Sequence, residues 1–178
     1  MLFRSRYPEI AWLGDAFGKM RIYREWSFGR NSALRVPQKA DRPDDRLSAD
    51  AGNLGPVLDR LRRDPEVKER FLKALNELYW VVDDFDVLVE GGVAQIIMRE
   101  GRHAVPIQRL SDGTLRYLCL LAILCDPDPC SLICIEEPEL GMHPDTVGTI
   151  ADLLKEVSEH TQIVITTHSY ILIDALTE

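Results

Sequence analysis

SLICIEEPELGMHP, residues 131–144, decides the reading of this 178-residue chain. It opens on a short apolar run, Leu132, Ile133, Cys134 and Ile135, bounded by polar residues and prolines. Such a run predicts a strand buried in a parallel sheet. Two adjacent carboxylates, Glu136 and Glu137, end the run, and Pro138 stops the ladder. Acids at the carboxyl end of a buried parallel strand stand where open α/β sheets bind ligands.

Working outward, Leu110-Ser111-Asp112-Gly113-Thr114 is a polar turn that opens a helix, with Ser111 as its N-cap. The helix continues through Leu115, Leu118, Cys119, Ala122 and Cys125, apolar on most sides and therefore central. Downstream, Val147, Ile150, Leu153, Leu154 and Val157 form the stripe of another helix over about 144–159. A second apolar strand, 162–167, then ends on His168, and Ser169 caps a last helix. Strand, helix and strand make a parallel β-α-β unit whose crossover should be right-handed.

These three stretches together resemble the C-terminal half of an ABC-type ATPase, of the SMC- and RecF-like kind related to the AAA-like OLD group. LSDGT is similar to the ABC signature loop, CIEE to Walker B with its catalytic Glu, PELGMHP to the D-loop region and TTHS to the switch-histidine loop. The resemblance is tight over roughly residues 108–170. It implies a partial P-loop NTPase lobe of the α/β class with a parallel β-α-β core, a β-hairpin and a helical hairpin. It implies ATP and Mg2+ as ligands, with Glu136 holding the metal through water and Glu137 polarising the attacking water. His168 would reach the γ-phosphate. Ser111, Asp112, Gly113 and Thr114 would face the ATP of a second subunit, which implies a head-to-tail dimer. Glu136 stands where most relatives have Asp, and Asp112 where transporter signatures have Gly, so the Asp112 charge should point away from phosphate.

Taken singly, the same residues describe an acidic turn, a strand-terminal His and an ordinary helix cap. Their order and spacing favour the ATPase. Two further readings fit the sequence: a non-catalytic module that dimerises or binds a partner, and a metal-dependent nuclease drawing on Glu139, His143 and Asp145 with Glu136 and Glu137. Glu139, His143 and Asp145 otherwise suit a D-loop contact between subunits, with Asp145 as a helix cap.

Upstream the chain is less specific. Residues 19–26 alternate as a strand, and 31–50, with Pro37 and Pro43, read as a loop or linker. Leu54, Val57, Leu58 and Leu61 form one helical stripe, and Val67, Phe71, Leu72, Leu75, Leu78 and Tyr79 another, with Asp64 capping and Pro65 at its first position. Two strand-like runs over 86–99 flank Gly91-Gly92 and predict a hairpin with a two-residue turn. The resulting organisation is an N-terminal strand and linker over 1–50, the two hairpins over 51–107, and the signature, Walker B and switch-His lobe over 108–178.

No true Walker A, G-x-x-x-x-G-K-[ST], occurs in these residues. Gly14 to Lys19 comes closest, but it is one residue short and has Met20 where a hydroxyl is needed. The expectation is therefore a C-terminal part of an ATPase, inactive alone, whose partner is a Walker A-bearing N-terminal half. Charge agrees with half a site. Residues 1–50 carry 10 basic and 7 acidic groups, 51–110 carry 9 and 10, and 111–178 carry 2 and 12. A third of the chain at −10 repels phosphate unless metal ions or another segment neutralise it, and alone is a poor DNA binder. No apolar run approaches membrane-spanning length, and four cysteines without C-x-x-C spacing predict reduced, buried thiols in a cytoplasmic protein.

Overall fold

The computed structural model describes residues 7–24 and 26–177. Helix α1 (Pro8–Gly18) leads through Lys19 into β1 (Met20–Tyr23). A short 3-10 turn (Ala33–Arg35) and β2 (Gln38–Lys39) precede helices α2 (Leu54–Leu61) and α3 (Pro65–Leu78). Strands β3 (Asp84–Glu90), β4 (Val93–Glu100) and β5 (His103–Pro106) follow, and a 3-10 turn (Ile107–Arg109) leads into α4 (Asp112–Leu124). The chain continues through β6 (Leu132–Glu136), α5 (Pro144–Ser158), β7 (Gln162–Thr166) and α6 (Tyr170–Thr177).

Two sheets share this framework. The parallel one has the order β1-β6-β7, with β6 in the middle. Its register sets Met20 beside Leu132 and Leu132 beside Gln162, and it ends with Glu136 opposite Thr166. The antiparallel one is built on β4, flanked by β3 on one side and by β2 and β5 on the other. The β3–β4 turn is made by Gly91 (φ 59°) and Gly92 (φ 78°), both left-handed as a type I′ turn requires.

Helix α4 is the axis of the core. Every residue from Leu115 to Leu124 is buried, and α2 and α3, which follow one another as a helical hairpin, both lean on it. Tyr117 in α4 donates its hydroxyl proton to the Ala74 carbonyl of α3 at 2.8 Å, and burial pushes that phenol far above its usual pKa. Residues 31–50, expected as a loop or linker, hold little regular structure yet are packed: Leu34 and Leu47 are both buried, and Gln38 accepts from the Gly55 N–H at 2.6 Å.

Among the described residues, the parallel sheet is covered on one side only. Tyr23, Ile133 and Ile135 point into the core beside the apolar faces of α4 and α5. On the other side lies the row Ile22, Cys134, Val164, with Met20 next to it; Ile22 is 53% exposed and Val164 46%. Helix α1 leaves Ile10, Trp12, Leu13 and Phe17 exposed as well, and buries none of its residues. Parallel sheets ordinarily carry helices on both faces.

Candidate functional site

The site forms where β6 and β7 end together and α4 begins. Strand pairing continues one residue past Glu136, because the Glu137 N–H donates to the Thr166 carbonyl at 2.8 Å. Glu137 then turns sharply with φ 44°, a left-handed backbone that non-glycine residues seldom adopt and that costs about 1–3 kcal/mol. The turn aims the half-buried Glu137 carboxylate across to the neighbouring strand end. There the exposed His168 places Nε2 3.4 Å from Glu137 Oε1. Glu136, the last residue of β6, is exposed.

Ser111, Asp112, Gly113 and Thr114 open α4. The Ser111 hydroxyl accepts from the Thr114 N–H at 3.1 Å and shares a hydrogen bond with the Thr114 hydroxyl at 2.8 Å. Asp112 pairs with Arg35, whose guanidinium also donates to the carbonyls of Phe28, Gln108 and Leu110. The Asp112 charge is thus neutralised by a residue of the N-terminal segment. A Cβ at Gly113 would stand 2.6 Å from the Gly141 carbonyl oxygen, so the turn containing Gly141 (φ 75°) rests directly on this loop.

Two further residues hold the site together: Arg116, which no motif in the sequence singles out, and Glu139, expected at a contact between subunits. Arg116, one turn into α4, donates from Nη1 to the Glu137 carbonyl at 3.0 Å. Its guanidinium lies over the rings of Trp26 and Phe28, 5.8 and 5.3 Å from their centroids, and burial draws its pKa below the ordinary arginine value. Glu139 accepts a short hydrogen bond from the Thr167 hydroxyl, which itself accepts from the Ser169 N–H at 2.9 Å. That chain fixes the loop carrying His168. The detectable signal for Arg116 was a single cation inside the otherwise apolar run Leu115 to Leu124; Arg35 gave none, being one of many arginines in an irregular segment.

Some expectations take a different form. Helix α5 is capped by His143, whose Nδ1 accepts from the Asp145 N–H at 3.3 Å, so His143 and not Asp145 is the cap. The bond goes to the second helical amide, as N-cap bonds ordinarily do, and Pro144 at the first position has no N–H to satisfy. Gly14 and Gly18 lie inside α1 with Lys19 just past its end, ahead of β1, so this segment does not follow a strand. Among the described residues no group of three or more His, Cys, Asp or Glu could hold a metal by itself. Cys119, Cys125 and Cys130 are buried free thiols, and burial pushes Cys125 up to about 12.

The arrangement suits phosphoryl chemistry. A carboxylate held by a strained turn, a histidine against it and a helix N-terminus beside it can orient water and receive anionic charge. One or two carboxylates are enough for Mg2+, which takes oxygen ligands and keeps several waters.

Comparison with known proteins points the same way. The model of the family described as AAA domain, putative AbiEii toxin, Type IV TA system, matches residues 4–174. No curated protein matches. Among solved structures, the Smc head domain of Pyrococcus furiosus, bound to the C-terminal domain of ScpA, is 18% identical with a TM-score of 0.52, over 64% of this chain and 31% of that one. The Smc head domain of Pyrococcus yayanosii is 19% identical with a TM-score of 0.52, over 64% of this chain and 24% of that one. An SmcHead bound to the C-winged helix domain of ScpA is 15% identical with a TM-score of 0.56, over 86% of this chain and 49% of that one. At these identities the likeness is one of fold. The chain spans less than half the length of each of these structures.

Proposed function

The chain belongs to this AAA-domain family, its fold is that of an ABC/SMC-like P-loop ATPase lobe, and from that premise we propose that it supplies the hydrolytic and signature elements of an ATP-hydrolysing enzyme. The observation that carries the proposal is the Glu137–His168 contact at the ends of adjacent parallel strands, reached from α4 through Arg116. Glu137 orients and polarises the attacking water, and His168 holds that water and the γ-phosphate from the other side. Glu136, open at the end of β6, takes the metal through water. Magnesium, when bound with ATP, would neutralise charge on the phosphates. The free N–H groups at Asp112 and Gly113 meet a γ-phosphate presented by a second copy in head-to-tail pairing.

The phosphate cradle comes from a Walker A segment outside these 178 residues. Two observations support that: no such motif occurs in the sequence, and among the described residues one face of the parallel sheet, around Ile22, Cys134 and Val164, lacks the cover parallel sheets ordinarily have. The test is calorimetric titration of Mg-ATP into the purified chain, alone and with a Walker A-bearing lobe. Binding and hydrolysis only in the combined sample support the proposal. Micromolar binding by the chain alone would overturn the division of the site.

A further inference from the structure

Arg116 is buried one turn into the core helix α4, yet none of the ion pairs among the described residues includes it. Burial disfavours the cation, the Glu137 and Glu139 carboxylates offset that only from beyond ion-pair distance, and an aliphatic side chain at this position would avoid the cost. What the guanidinium does instead is specific. It lies over Trp26 and Phe28 and gives Nη1 to one acceptor, the carbonyl of Glu137.

That carbonyl belongs to the residue whose backbone most needs holding. Glu137 is left-handed, and it precedes Pro138, a position where the ring favours extended backbone. Left to itself this residue would therefore relax towards β or polyproline geometry and carry its carboxylate away from His168. Three contacts oppose that relaxation: the Glu137 N–H on the Thr166 carbonyl, and the Leu140 N–H (3.1 Å) and Arg116 Nη1 on the Glu137 carbonyl. Only the Arg116 contact comes from outside β6, β7 and the turn itself.

We propose that Arg116 is the positioning residue of the site: its hydrogen bond to the Glu137 carbonyl holds the left-handed turn that aims the Glu137 carboxylate at His168. Because Arg116 lies one turn below Ser111–Gly113, it also ties the conformation of that carboxylate to the loop that receives phosphate. The catalytic consequence rests on the ATPase reading above; the conformational claim does not.

The two are tested separately. In the full 178-residue chain, amide couplings and carbon chemical shifts of Glu137 report its backbone without nucleotide. The native chain should show a left-handed Glu137. Arg116→Met should shift it to extended values with the shifts of β6 and β7 otherwise kept. Left-handed signals persisting in Arg116→Met would overturn the proposal. Should that variant fail to fold, Arg116→Gln, too short to span the gap, is read the same way. In the ATPase assembled with a Walker A-bearing lobe, Arg116→Met should lower kcat about 100-fold at little change in KM. Arg116→Lys, which keeps a charged donor, should recover part of it. An equal loss in Arg116→Lys and Arg116→Met would also overturn the proposal. Failure of the ATPase reading has a different signature, undiminished turnover in Glu137→Gln, and leaves the resonance result standing.

Discussion

Single atoms decide much at this site, and Glu137 and Gly113 show how. Glu137→Gln keeps the shape of the side chain and removes its basicity, so in an assembled ATPase turnover should fall by roughly 10²–10⁴-fold while ATP stays bound. Filter-binding of labelled ATP beside a phosphate-release assay measures both, and unchanged release would remove Glu137 from its role. Gly113 teaches a different lesson. Glycine inside a helix costs about 1 kcal/mol relative to alanine, so Gly→Ala ordinarily stabilises. At Gly148, in α5, nothing lies within 4 Å of the added methyl, and Gly148→Ala should stabilise by about that amount. At Gly113 the methyl would meet the Gly141 carbonyl at 2.6 Å, and overpacking of that kind costs about 1–3 kcal/mol, so the sign should reverse. Urea unfolding of the two variants gives the comparison directly.

At the scale of elements, legibility followed how local each signal is. The hairpin announced itself through Gly91-Gly92, the helix starts through Asp64 and Ser111, and the two parallel strands through short apolar runs that end on acids or histidine. Glu136, Glu137 and His168 could be placed from those strand ends alone. Contacts that span the chain could not. Arg35 reaches Asp112 from 77 residues away, and nothing in the sequence around Arg35 sets it apart from its neighbours. The turn at Glu137 was also hidden, since a left-handed residue before proline runs against local preference and persists only because tertiary contacts hold it. The helix cap at His143 was missed because the usual side chains for that position are Ser, Thr, Asp and Asn.

For the whole molecule, charge and the open sheet face have measurable effects. Asp59 is partly buried, which works against ionisation, but Arg62 and Arg63 outweigh that and hold its carboxyl below the usual range; hydrogen bonds from Ser48 and Gly52 do the same for Asp50. Both groups bind protons more weakly folded than unfolded. Their contribution is therefore present above the ordinary Asp range and is lost as pH falls through the lower folded values, on the acid side of roughly pH 4. Thermal melts across pH 2–6 should show that decline, and Asp59→Asn should flatten it. On the open face, Cys134 stands between Ile22 and Val164, whereas Cys119 and Cys125 are buried and their thiols pushed up. Iodoacetamide should label Cys134 before either of them, and a lobe that covers this face should protect it; mass spectrometry of the labelled peptides distinguishes the cases. The same sheet also sets a timetable. Met20 pairs with Leu132, which the ribosome adds 112 residues later. At about 5–20 residues per second, β1 waits roughly 6–22 s before its neighbour exists. Throughout that interval Tyr23, buried in the finished fold, lacks its strand neighbour Ile135, so β1 cannot take its place in the sheet until β6 emerges.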